Sequence, residues 1–184
     1  MKNLQKKTTL ILALSILIAP VLFFLRADAL IIENRKITTS SAIPSQAAVT
    51  YNVSFRPATA TAVSSIKMDF CTNSPLQTEP CTVPSGLNLN PSAGTLSNQT
   101  GNTGFGINLA NSDSNTIVLS RTSAVVNLTQ SAYRLTGIRN PSTANETVYV
   151  RISLHNTPDA SGAFSDEGAV AFAMTPTFNV GAYV

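Results

Sequence analysis

Two cysteines, one histidine and a scatter of carboxylates are the side chains of this chain that could do chemistry. Cys71 and Cys81 are separated by nine residues that include Pro75 and Pro80. A redox or zinc site would want closer thiols or histidine companions, whereas outside the cytoplasm such a pair is expected as a disulfide. Closing that loop should stabilise the fold by roughly 2.5 to 3 kcal/mol on the chain-entropy model. His155, the only histidine, precedes Asn156-Thr157-Pro158 and is expected to be exposed where a strand ends. A Ser-His-Asp arrangement would need it as the base, yet no Gly-x-Ser-x-Gly elbow occurs. A glycosidase needs two carboxyl groups facing one another. Asp166 and Glu167 are adjacent in an expected turn and should diverge, and Asp69, Glu79, Asp113 and Asp159 have no partner at a telling spacing. No catalytic residue, cofactor or metal-ligand set is assigned.

Two polar loops imitate ligand sites. Gly101-Asn102-Thr103-Gly104-Phe105-Gly106 lacks phosphate-loop spacing, and a strand follows where a helix N-terminus would be needed. Asn111-Ser112-Asp113-Ser114-Asn115 starts like a calcium loop but lacks the glycine at the sixth place and the glutamate at the twelfth. Both are expected to be turns. Asn52, Asn98, Asn127 and Asn145 begin Asn-x-Ser/Thr triplets, which matter only in a host that glycosylates.

The compartment comes from the first 29 residues. An uncharged, mostly apolar run over residues 8–25 follows Lys2, Lys6 and Lys7 and ends at Ala27-Asp28-Ala29, the layout of a secretory signal peptide. As a helix it would span roughly 27 Å against a hydrocarbon core of about 30 Å. Ala27 and Ala29 are the small residues a signal peptidase reads, so cleavage after Ala29 is expected. The alternative is an uncleaved membrane anchor with the lysines held inside. Lys2, Lys6, Lys7 and Arg26 leave with Asp28, so twelve basic residues fall to eight and nine acidic ones to eight. The exported part is then formally neutral. Arg121, Arg134, Arg139 and Arg151 are scattered along it, which argues against nucleic-acid binding.

About 155 residues remain, enough for one domain with a real core. Apolar and polar residues alternate, as in strands with one buried face. Val49, Tyr51, Val53 and Phe55 form one such run, and Ile66, Met68 and Phe70 another. Phe105, Ile107 and Leu109 follow, then Ile117 and Leu119, then Val125, Val126 and Leu128 as a separate strand, then residues 133–138. Val148, Val150, Ile152 and Leu154 are the strongest; Val170, Phe172 and Met174, and last Phe178, Val180 and Ala182, complete the series. Clusters such as Asn90-Pro91-Ser92, Asn140-Pro141-Ser142 and Pro158-Asp159-Ala160-Ser161-Gly162 separate them as turns. The expectation is all-β: a two-sheet sandwich with immunoglobulin-like or related Greek-key connections over residues 48–184, preceded by an N-terminal hydrophobic helix. Residues 30–47 are either a tether or a first strand around residues 35–41.

Phe70-Cys71-Thr72-Asn73-Ser74-Pro75-Leu76, Pro80-Cys81-Thr82-Val83-Pro84-Ser85-Gly86-Leu87, Gly104-Phe105-Gly106-Ile107, Asn115-Thr116-Ile117-Val118-Leu119, Asn140-Pro141-Ser142 and Val148-Tyr149-Val150-Arg151-Ile152 carry a resemblance. Over most of residues 30–175 the chain resembles exported proteins of Saccharibacteria-type (Patescibacteria) genomes to which no activity is assigned. The resemblance implies a surface or secreted β-sandwich, set where a small-genome bacterium contacts another cell. Proteins of that group run on past the point where Val184 stands, so a further carboxy-terminal part or anchor fits the pattern.

Three functional classes follow. The first is a non-catalytic cell-surface structural or adhesion module that binds a protein or surface-glycan partner, tethered to the membrane by residues 1–29 if they stay. The second is a pilus or filament subunit that self-assembles by β-strand addition, motivated by residues 35–41 and the alternating tail Phe178-Asn179-Val180-Gly181-Ala182. A secreted hydrolase is the third. A type IV pilin would carry a glutamate after a processing glycine at the head of the apolar run, and this leader has neither. Intact-mass measurement of protein recovered from outside the cytoplasm should show a mass about two daltons below the fully reduced form. Free thiols at both cysteines would count against export into an oxidising space.

Overall fold

The computed structural model describes residues 29–176. Ten strands follow one another: β1 (Leu30–Ile31), β2 (Glu33–Thr39), β3 (Val49–Arg56), β4 (Ala62–Cys71), β5 (Leu96–Thr100), β6 (Gly106–Ile107), β7 (Thr116–Val125), β8 (Ser131–Ile138), β9 (Thr147–His155) and β10 (Phe164–Ala173). They form a six-stranded sheet in the order β1-β10-β9-β4-β7-β6 and a four-stranded sheet in the order β2-β3-β8-β5. Among the described residues no helix is long and apolar enough to cross a membrane.

The fold is an all-β sandwich with the immunoglobulin arrangement of strands. There, strands A, B, E and D share one sheet, and C, F and G the other. Here β2-β3-β8-β5 takes the A-B-E-D order and β10-β9-β4 the G-F-C order, with β7 and β6 extending the second sheet beyond β4. The chain departs from that pattern in entering β5 before β6 and β7.

The core lies where the alternation placed it. Tyr51, Val53 and Phe55 of β3 and Tyr133 and Leu135 of β8 meet Ile66, Met68 and Phe70 of β4 and Val148, Val150, Ile152 and Leu154 of β9, all buried. Tyr51 stacks on Phe70 with ring centroids 5.8 Å apart and meets Phe172 edge-on at 5.1 Å. Phe55 and Phe105 close on Tyr133 at 5.8 Å each. Such aromatic pairs add about 0.5 to 1.5 kcal/mol each beyond their buried area.

Several elements differ from expectation. Ile117, Leu119 and Val125 lie on one ten-residue strand, β7, because Ala62 and Val63 of β4 pair with Val125 and Ala124 and carry the ladder through. Val126 and Leu128 fall in the loop that follows, and Leu109 in an exposed 3-10 turn, Leu109–Asn111. Met174 is buried just beyond the end of β10. Residues 30–39 contribute strands to both sheets, β1 pairing parallel with β10 and β2 antiparallel with β3. Strand β5 had no apolar alternation to announce it; it is an edge strand of exposed and half-exposed residues held by pairing with β8. The hydrophobic leader and the run Phe178, Val180 and Ala182 lie outside the described residues, as does Ala27; Ala29 directly precedes β1.

Both ends of the sandwich are closed by buried asparagines. Asn140, fully buried, accepts from Tyr51 Oη at 2.6 Å and donates to the carbonyls of Ser41 at 3.0 Å and Ile43 at 2.9 Å. At the other end Tyr133 Oη donates to the Asn102 carbonyl at 2.8 Å, while the Asn102 side chain bonds the Asn127 N–H and C=O and Ser131 Oγ. Burial pushes both phenols well above their usual range, so they remain donors across the working pH range. Asn140→Ala leaves the buried Tyr51 hydroxyl without its acceptor and takes one of two donors from each of the Ser41 and Ile43 carbonyls, and should cost about 1 to 3 kcal/mol. A denaturant midpoint unmoved by this substitution would contradict that role.

Candidate functional site

The disulfide joins Cys71 to Cys81 with Cα atoms 5.2 Å apart. Cys71 is the last residue of β4, and the loop that leaves it folds back over the outer face of the six-stranded sheet. Thr72 N–H donates to the Thr82 carbonyl at 2.9 Å, and Asn73 Nδ2 to the Pro80 carbonyl at 2.7 Å. Beneath the loop sits Arg151 of β9, only 3% exposed, which donates from Nε to the Ser74 carbonyl at 2.9 Å and from Nη1 to the Glu79 carbonyl at 2.6 Å. Bridge and buried guanidinium therefore fix one loop in one place.

His155 is 4% exposed, not at the surface as expected, because it is the last residue of a strand whose outer face is covered. Its Nε2 lies 2.9 Å from Ser153 Oγ, and its ring meets Phe164 edge-on at 5.9 Å. Burial, with the Lys67 ammonium adding to it, holds the imidazole below its usual range. A histidine beside a serine is the start of a nucleophile-base pair. Here Ser153 is itself only 3% exposed, and His155 Nδ1 has no hydrogen-bond partner among the described residues, so no carboxylate orients the ring.

The carboxylates are structural in the same way. Asp166 and Glu167 lie on strand β10 and not in a turn, and strand alternation sends their side chains to opposite faces. Asp166 is completely buried and accepts from Ala58 N at 2.9 Å, Thr59 N at 3.1 Å and Thr59 Oγ1 at 2.6 Å, tying the β3–β4 loop to β10. Asp113 caps its own loop by accepting from Asn115 N and Thr116 N. Asp69 accepts from Thr116 Oγ1 and pairs with Lys67 Nζ at 2.8 Å. Among the described residues no three His, Cys, Asp or Glu side chains are close enough to share a metal ion.

Two features remain uncommitted. The outer face of the four-stranded sheet is polar from edge to edge, since register aligns Thr38, Asn52, Arg134 and Asn98 in one row across four strands. Lys36, Ser54, Ala132 and Thr100 form the next. A shallow groove of about 560 Å³ runs along it, and no acidic side chain lines it. Neighbouring strands place successive groups in a row about 4.8 Å apart.

The second feature is the edge of β10. β1 covers it only at Asp166 and Glu167, and the chain then leaves for the other sheet after Ile32 donates to the Glu167 carbonyl at 2.8 Å. From Gly168 to Ala173 no described segment other than β9 pairs with β10. Sequence reasoning missed both features, because cross-strand register and an edge's neighbours are properties of the sheet.

The buried imidazole makes stability depend on pH. Its folded-state pKa is depressed, so its contribution is fully present above the unfolded value of about 6.5 and is lost as pH falls through the folded value. The melting temperature should therefore drop between pH 7 and 5.5, and His155→Gln should flatten that slope. An identical slope in the variant would show that other groups set it.

No protein-family model matches the chain, and no curated protein matches it. Among solved structures it is similar to the crystal structure of BslA, a bacterial hydrophobin, at 9% sequence identity and a TM-score of 0.44, over 78% of this chain and 96% of that one.

Proposed function

We propose that the chain is an exported cell-surface module that binds a partner without performing chemistry on it. One observation carries this reading. Side chains that could catalyse are occupied as internal struts, while the outer face of the four-stranded sheet presents an ordered array of exposed and half-exposed polar side chains. The disulfide suits an oxidising space, and the leader with Ala27 and Ala29 supplies the route to it. The resemblance to exported Saccharibacteria-type proteins supports the same setting, a surface through which one cell meets another. Residues 1–29, if retained, would hold the module at the membrane.

The array favours a glycan. Hydroxyls of Thr38, Thr50 and Thr100 and carboxamides of Asn52 and Asn98 can exchange hydrogen bonds with a polyhydroxylated chain, and Arg134 can pair with an acidic substituent. Calorimetric titration of polyuronates against neutral polysaccharides should give binding that favours the acidic polymers. Arg134→Ala should weaken it about tenfold, equivalent to about 1.4 kcal/mol, without moving the melting temperature. Absence of heat with every polymer, together with undiminished attachment of the Arg134→Ala protein to intact cells, would remove this face from the function.

A second reading, a self-assembling subunit built by β-strand addition, is favoured by the uncovered edge of β10.

A further inference from the structure

We propose that the free edge of β10 pairs antiparallel with the same edge of a second copy, about a two-fold axis through Ala171. This rests on strand addition at that edge and names the strand that is added. The Glu167 carbonyl points toward β1, where it accepts from Ile32 N. Backbone groups alternate along a strand, so those of Ala169, Ala171 and Ala173 point the same way, where no described strand forms a ladder with them although β2 packs nearby. β1 cannot continue along them, because Asn34 at φ 47° bends the chain into β2. Gly168 marks the near end of the slot: a Cβ there would lie 2.6 Å from Ile32 Cγ1 and 2.8 Å from Arg35 Nη1. At the far end Thr175 N is already bonded to the Ala42 carbonyl at 2.9 Å, which draws the chain away.

The slot is thus 169–173, and its midpoint is Ala171. A second β10 laid antiparallel over it sets Ala171 against Ala171, Ala169 against Ala173, and Val170 against Phe172. On the outer face the contact is alanine on alanine, small enough for close approach. On the inner face Val170 and Phe172, which are only partly buried against the core, would cover one another. The stretch holds no charge, proline or bulge, the devices by which edges are kept from pairing. A two-fold contact of this kind closes on itself, so the product is a dimer and not a fibre.

Ala171 positions facing each other across such an axis have Cα atoms about 5.5 Å apart, within disulfide range. The Ala171→Cys protein under mild oxidation should form a covalent dimer, whereas Ala173→Cys alone should not. Sedimentation should show the unaltered chain as a dimer and Ala171→Pro as a folded monomer. Hydrogen exchange should find the amides of Ala169, Ala171 and Ala173 protected in the dimer, and those of Ala169 and Ala173 open in the Ala171→Pro protein, which has no amide hydrogen at residue 171. Protected amides with no Ala171→Cys cross-link would overturn the two-fold pairing while leaving strand addition standing. Loss of protection on removal of residues 177–184, with the same failure to cross-link, would identify that segment as the added strand. Unprotected amides in the unaltered chain would overturn both.

Discussion

A two-sheet sandwich seals its faces by apolar contact but is open at both ends, where loops bring unpaired backbone groups over the core. Here each opening is closed by a tyrosine that starts in the core and ends on a buried asparagine. Tyr51 and Tyr133 lie on the neighbouring strands β3 and β8, paired to Leu135 and Val53 respectively, and reach toward opposite ends. Asn140 and Asn102 then gather the loop backbone that the strands cannot satisfy. The rest of the fold depends on these closures, because a buried carbonyl or N–H without a partner costs as much as a core methylene or two provides.

The same economy explains why the chemically capable residues are quiet. Asp166, Arg151 and His155 are each nearly inaccessible, and each meets a local structural need: a loop to be tied down, a disulfide excursion to be pinned, a strand end to be covered. Sites of chemistry need the opposite, a group that is held in place yet open to a substrate. On the outer face of the four-stranded sheet, which is open, the groups are hydroxyls, carboxamides and one guanidinium.

The path of the first strands decides what the six-stranded sheet exposes. β1 protects two residues of β10 and then crosses to the other sheet, and Gly168 is what lets Ile32 and Arg35 pass so closely. The sandwich gains a strand on each sheet from ten residues, and on that side the second half of β10 has no ladder partner among the described residues.

Strong alternation in β3, β4 and β9 was legible because each carries a full apolar face with a period of two, and the paired cysteines were legible because ten residues of separation suit a short loop. β5 was not, since an edge strand that buries little needs no apolar pattern. Asn102 and Asn140 read as ordinary turn residues, and nothing local distinguishes an asparagine facing water from one beneath a loop. His155 reads as exposed because its neighbours are turn formers, while its burial comes from Phe164 and from the covering of a sheet face. By itself the sequence determined strand type, the sided core and the disulfide partner, all consequences of spacing along the chain. Only the tertiary structure decided which polar groups are spent and which are free, because that depends on register and on which strand ends beside which, contacts made between residues far apart in the chain, 89 positions in the case of Tyr51 with Asn140.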